Sequence, residues 1–136
     1  YFGMFAPDDP RIVRTMEAIR EKLTVRTAVG GIARYENDYY HQQSQDIATV
    51  PGNPWFICTL WVAEWMIATA KTRADLKPAV SLLEWCVQHG LPSGVLAEQV
   101  HPYSHAPLSV SPLTWSHATF VLAVREYLEK WKSLPK

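Results

Sequence analysis

From Trp55 to Ala70 the chain carries one charged residue, Glu64, and its large apolar side chains point to every side of the helix they would form. Trp55, Phe56, Ile57, Leu60, Trp61, Val62, Trp65, Met66 and Ile67 leave that helix no wet face, so it must be covered on several sides. The pattern predicts an inner element of a helical assembly larger than the chain's other helices alone can provide. Asn53 reads as its N-cap and Pro54 as its first residue, with an end near Lys71. A membrane span of this length is opposed by Glu64, by the polar Thr59 and Thr69, and by the lack of basic residues at the Asn53 end.

Three further helices are predicted around it. Asp9 as N-cap and Pro10 as first residue open an amphipathic surface helix over residues 10–24, with Ile12, Met16, Ile19 and Leu23 as its apolar stripe. A third helix covers residues 75–89, with Pro78 in its first turn and Gly90 as its stop. A fourth starts at Ser111 and Pro112 and runs to about Trp131, with Leu113, Phe120, Val124, Tyr127 and Trp131 along one side and Val121 and Leu128 beside them. The reading is all-α, about four main helices over one unit, residues 1–136.

The chemistry-bearing residues fall between the helices. Residues 25–52 hold no helical period, and a loop of that length inside a compact domain is usually functional or disordered. Arg34, Tyr35, Asp38, Tyr39 and Tyr40 place an arginine, an acid and three tyrosines in seven residues. A guanidinium fork beside aromatic rings suits polyhydroxylated sugars, because Arg donates to hydroxyl oxygens and flat rings cover C–H faces. Glu98 sits in an irregular segment between two strongly helical ones, the kind of position that rigid scaffolds use for catalytic groups. Glu84, beside Trp85 within a helix, is read as a flank residue.

Composition narrows the ligand. Thirteen basic residues balance thirteen acidic ones, so no surplus charge draws the chain to nucleic acid or to an anionic membrane, and the expected ligand is neutral. Cys58 and Cys86 lie among apolar neighbours and are expected to be free. His101 and His105 have the i, i+4 spacing of metal ligands, but Pro102 and Pro107 keep them off a helix, and neither a metal nor a cofactor is expected. The chain begins Tyr1-Phe2-Gly3 and is read as a piece of a longer protein, with a cytoplasmic location expected.

Several ordered blocks resemble glycoside hydrolase family 15, the glucoamylase family that also holds glucodextranases and some trehalases. They are Gly31 to Tyr35, Asp38 to Tyr40, Pro51 to Leu60, Gly94 to Gln99 and Ser109 to Ala118, and they extend the resemblance from about Asp8 to Trp131. The resemblance implies an (α/α)6 barrel of six helical hairpins, of which this chain would be roughly the C-terminal third. It implies cleavage of glucose from non-reducing ends of α-glucans with inversion, with Glu98 as the general base. Arg34 and Trp55 would contact sugar near the cleaved bond, Asp38 and Tyr40 would be weaker contacts, and Trp115 would line the same pocket.

The spacer between Tyr40 and Asn53 is longer than in the fungal pattern, which bears on contacts beyond the first sugar. The family's general acid would lie upstream of Tyr1, since none of Glu36, Glu64 or Glu84 occupies a matching block. The isolated chain is therefore expected to be inactive, and its exposed barrel surface to pair with the rest of its own domain or with itself. Trehalase or glucodextranase activity, a non-catalytic glucoamylase-like regulatory or carbohydrate-binding domain, and a helical interaction module without a ligand are the competing readings.

Overall fold

A computed structural model describes residues 3–135. Four α-helices account for its regular structure: α1 (Pro10–Leu23), α2 (Phe56–Thr69), α3 (Lys77–His89) and α4 (Thr114–Ser133). One short hairpin, β1 (Gln99–Val100) antiparallel to β2 (Pro107–Leu108), lies between α3 and α4. No helix among the described residues is long and apolar enough to cross a membrane.

The apolar stretch folds as the central element. α2 buries Phe56, Ile57, Cys58, Thr59, Leu60, Val62, Ala63 and Ile67, and packs chiefly against α3 and α4. Phe56 and Leu60 are fully enclosed with Leu83, Trp85 and Cys86 of α3 and Ala123 of α4. Small residues set the approach to α4, where Ser116, Thr119 and Ala123 are the buried positions. This corrects the predicted stripe on α4. Phe120, Val124 and Tyr127 do pack on the core, but Val121 is 66% exposed and Leu128 48%, because α2 comes close enough to be met by the short side chains.

The helix starts also differ from expectation in an informative way. Asp9 does cap α1, its carboxylate accepting the N–H of Arg11 at 2.9 Å, and Pro10 is the first helical residue. Asn53 and Pro54 do not start α2. Trp55 is the N-cap, and Pro54 and Trp55 are extended residues bridged to Ala33 and Gln99. Ser111 and Pro112 likewise precede α4, which begins at Thr114, and a turn of 3-10 helix at Ala74–Leu76 precedes α3. Before α2 and α4, pairing with distant chain competes successfully with early helix entry, whereas the turn before α3 is closed by local hydrogen bonds between Thr72, Arg73, Asp75 and Leu76.

The same pairing explains Gly31. Its φ is +83°, and a Cβ there would meet Trp85 Cζ2 at 2.6 Å and Pro54 Cβ at 2.8 Å. Gly31→Ala combines backbone strain of about 1–2 kcal/mol with overpacking of about 1–3 kcal/mol. The expected loss of about 2–5 kcal/mol is read from the urea unfolding midpoint, and a change below 0.5 kcal/mol would contradict the close approach.

Trp61 and Trp65 are only partly buried. They line a groove of about 930 Å3 between α1, α2 and α4, together with Met16, Ile19, Leu23 and Leu122. Glu64 enters this groove, and its Oε1 is buried without a hydrogen-bond partner among the described residues. Burial, reinforced by the nearby Glu126, pushes the Glu64 carboxyl up to about 7 from 4.5. Between those values the folded chain keeps a proton that the unfolded chain has released, so stability falls as pH rises through the window. Discounted for the water that reaches the side chain, the loss is about 1–2 kcal/mol. Glu64→Gln is expected to raise the unfolding midpoint at pH 8 and to leave it unchanged at pH 4; an equal shift at both would point to a cause other than ionisation.

Candidate active site

Three short extended segments, distant in sequence, lie side by side and carry the candidate residues. Isolated bridges join Ala33 to Pro54 and Trp55 to Gln99. Backbone hydrogen bonds from Trp55 N to Ile32 O (2.9 Å), Phe56 N to Glu98 O (3.3 Å) and Val100 N to Pro54 O (2.9 Å) fasten them together. Arg34, Trp55 and Glu98 thereby come from three neighbouring lengths of backbone. Asn53, freed from capping, donates its amide to Gln99 Oε1 at 2.9 Å and to His41 O at 2.8 Å, tying the middle segment to both flanks.

The arginine is fixed before any ligand arrives. Asp38, 1% exposed, takes Arg34 Nε on one oxygen and Nη2 on the other, each at 3.0 Å, and also accepts the N–H of Tyr40 at 3.1 Å. Its carboxylate holds Arg34 still more firmly protonated than usual. The guanidinium carbon lies 4.3 Å from the Trp55 ring centroid, 4.9 Å from Tyr35 and 5.4 Å from Tyr40. Cation–π contact on three rings adds to the bidentate ion pair in setting its orientation. Trp55 itself is 4% exposed, so the guanidinium and not solvent covers it, and its Nε1 is buried without a partner among the described residues.

Glu98 is held by its loop and by α4. Its N–H donates to Val110 O at 2.9 Å, Leu113 N donates to Leu96 O at 3.0 Å, Ser116 Oγ to Ala97 O at 2.8 Å, and Leu96 N to His117 Nε2 at 3.0 Å. The Leu-Thr-Trp-Ser-His stretch therefore serves as a clamp for the residues around Glu98. The Glu98 carboxylate accepts a short hydrogen bond from Ser109 Oγ on Oε2, and the same Ser109 oxygen lies 3.2 Å from the Tyr40 hydroxyl. Ser109 has one hydroxyl proton and spends it on the carboxylate, so Tyr40 is the donor to Ser109. The chain Tyr40 to Ser109 to Glu98 joins the carboxylate to the arginine cluster, since the Tyr40 ring is also a wall for Arg34.

The structure thus brings together Arg34, Asp38, Tyr40, Trp55 and Glu98. Trp115 is placed differently: at the start of α4, 48% exposed, with its ring edge-on to Trp61 at 5.7 Å. Trp61, Arg34 and Cys58 line the same groove, which connects it with the cluster at one remove. Cys58 and Cys86 are free and buried; burial pushes the Cys58 thiol up to about 12 and the Cys86 thiol also upward, so neither is a nucleophile. His105 pairs with His89 at 3.0 Å, and His101 Nδ1 accepts backbone N–H groups, so each has a structural partner.

Ser109 is the hydrogen-bonded neighbour of Glu98 that residue patterns miss. It faces Glu98 because the hairpin register pairs Gln99 with Leu108, which sets residues 98 and 109 across from each other at its base. Two residues per strand, one strand beginning with proline, leave no alternating pattern from which to read that register.

The family model for glycosyl hydrolases family 15 matches residues 2–84. Among curated proteins, the chain is 32% identical over 134 residues to an uncharacterised glycosyl hydrolase of Methanocaldococcus jannaschii, covering 92% of this chain and 20% of that protein. It is 30% identical over 132 residues to a glucoamylase of Clostridium sp., covering 93% of this chain and 18% of the relative. Among solved structures, a bacterial glucoamylase complexed with acarbose superposes with a TM-score of 0.76 at 26% identity, over 94% of this chain and 19% of that one. The glucoamylase of Hormoconis resinae shares the fold at a TM-score of 0.63, over 88% of this chain and 27% of that one. The four helices accordingly form part of an (α/α)6 barrel. The chain spans about a fifth of the length of the curated relatives it matches.

Proposed function

The chain belongs to glycosyl hydrolases family 15, and from that membership we propose that the whole enzyme releases glucose from non-reducing ends of α-glucans with inversion, using Glu98 as its general base. Residues 1–136 are then the C-terminal part of its catalytic domain. The observation that carries the reading is the tether on Glu98. Ser109 occupies Oε2, and no hydrogen bond from the described residues reaches Oε1, which is the oxygen that would take a proton from the attacking water. Inversion requires a second carboxyl group roughly 6.5–9.5 Å away to protonate the leaving oxygen. That acid belongs to another part of the enzyme, so this chain alone is expected to turn over no substrate.

The roles of the other residues follow from their placement. Arg34, locked by Asp38 and open on one side, donates to sugar hydroxyls beside the cleaved bond. Asp38 and Trp55, both buried, act through Arg34 and set its position. Tyr40 contributes its hydroxyl to Ser109 and its ring to the wall, and Trp115, half exposed, stands against Trp61 of the groove. An oligosaccharide ligand is favoured because the similar bacterial glucoamylase was solved with acarbose. A neutral sugar also suits a chain whose charges cancel.

Proton NMR of fresh digests of maltotriose and of trehalose by the full-length enzyme tests the proposal. Prompt β-glucose from maltotriose is the expected result. Initial α-glucose would refute inversion, and prompt glucose from trehalose alone would move the assignment to a trehalase.

A further inference from the structure

The tip of the hairpin beyond Glu98 is anchored far more heavily than an exposed turn requires. Pro102 is fully buried, and its carbonyl accepts the Thr27 hydroxyl at 2.6 Å. His101 Nδ1 accepts the N–H groups of Tyr103 and Ser104, each at 3.2 Å. His105 meets the buried His89 Nε2 at 3.0 Å and stacks on its ring. Tyr103, held between these anchors, is nevertheless 53% exposed, and its hydroxyl donates to Ser44 Oγ at 3.0 Å.

Ser44 belongs to the segment between Tyr40 and Asn53. The four non-glycine residues with positive φ among the described residues are Asn37, His41, His105 and Ser109. Asn37 and His41 lie in this segment or its flank, His105 in the hairpin loop and Ser109 at the hairpin base, at about 1–2 kcal/mol of backbone strain apiece. Two strained loops are joined twice, by Tyr40 to Ser109 at the base and by Ser44 to Tyr103 at the tip. Strain concentrated in exposed loops and opposed by several hydrogen bonds marks a surface built to be rigid.

An aromatic ring fixed at its hydroxyl and half exposed, as Tyr103 is, is a preorganised platform for the C–H face of a sugar, since little rotamer freedom remains to be lost on binding. Tyr103 is five residues from Glu98, and at strand rise that is at most about 17 Å, within reach of a few linked sugar rings. We propose that Tyr103, held by Ser44, is a specificity-determining residue that supports a glucosyl unit of the leaving chain beyond the cleaved bond and so favours malto-oligosaccharides over maltose. The inference rests on the reading of Glu98 as the base of an α-glucan hydrolase.

The test compares kcat/KM of the full-length enzyme for maltose and for maltoheptaose in the parent protein and in Tyr103→Ala, Tyr103→Phe and Ser44→Ala. Tyr103→Ala is expected to lower the maltoheptaose-to-maltose ratio about fivefold, mainly through KM for the longer substrate. The other two variants keep the ring but lose its tether, and are expected to lower the ratio by a smaller factor. An unchanged ratio in Tyr103→Ala overturns the proposal, as does an equal fall in kcat for both substrates, which would mark Tyr103 as a support for Ser109 alone. A parent enzyme that hydrolyses neither substrate overturns the reading of Glu98, and this inference with it.

Discussion

Glu98→Gln is expected to lower kcat of the full-length enzyme on maltotriose by about 10²–10⁴-fold, with KM little changed. The substitution preserves shape, and the amide oxygen of Gln can still accept the Ser109 hydroxyl, so the loop held by Ser116, His117 and Val110 keeps its position. In the proposed role, the variant would lose the ability to take a proton from water in the transition state, which is an effect on kcat and not on binding. Glu84→Gln is the matched control, because Glu84 is exposed on α3 and contacts none of the clustered residues; its rate is expected to stay within twofold of the parent. A loss below tenfold in Glu98→Gln, with the fold intact by circular dichroism, would remove Glu98 from the role of base.

Arg34→Ala is expected to destabilise the protein by about 3 kcal/mol, a large part of the stability of an ordinary domain. The reason lies in the partner left behind. Asp38 is 1% exposed and takes the guanidinium on both oxygens, so removing Arg34 leaves a buried carboxylate with no cation beside it and only the Tyr40 N–H and the Tyr35 hydroxyl to answer it. Trp55 and Tyr40 also lose the group packed on their rings. Arg34→Lys rescues little, because one ammonium cannot satisfy both oxygens in the same plane. Replacing Arg34 and Asp38 together by Ala and Asn is expected to be less damaging than Arg34→Ala alone, since no buried charge remains. Urea unfolding midpoints at constant m-value measure all of these, and a double variant as unstable as the sum of the singles would show that the pair is not coupled.

The legible part of this chain was whatever depends on near neighbours. The apolar circumference of residues 55–70 and the Asp9-Pro10 cap specify α2 and α1 through spacing and local hydrogen bonding alone. Arg34, Asp38, Tyr40 and Glu98 were visible as chemistry in irregular segments, and ordered blocks placed them in a family. The first position of α4 was not legible, because Leu113 is drawn away by Leu96, seventeen residues earlier.

Sequence by itself therefore determined which helices form, which of them must be covered on several sides, and which side chains are the first candidates for chemistry. Tertiary structure alone decided that Trp55 lies buried beneath Arg34, that Asp38 is its ion-pair partner, and that Ser109 reaches Glu98. Those outcomes depend on bridges between residues 33 and 54 and between 55 and 99, and on the register of a hairpin two residues deep. Such pairings are selected by the packing of α2 against α3 and α4, a non-local energy that leaves no period in the local sequence.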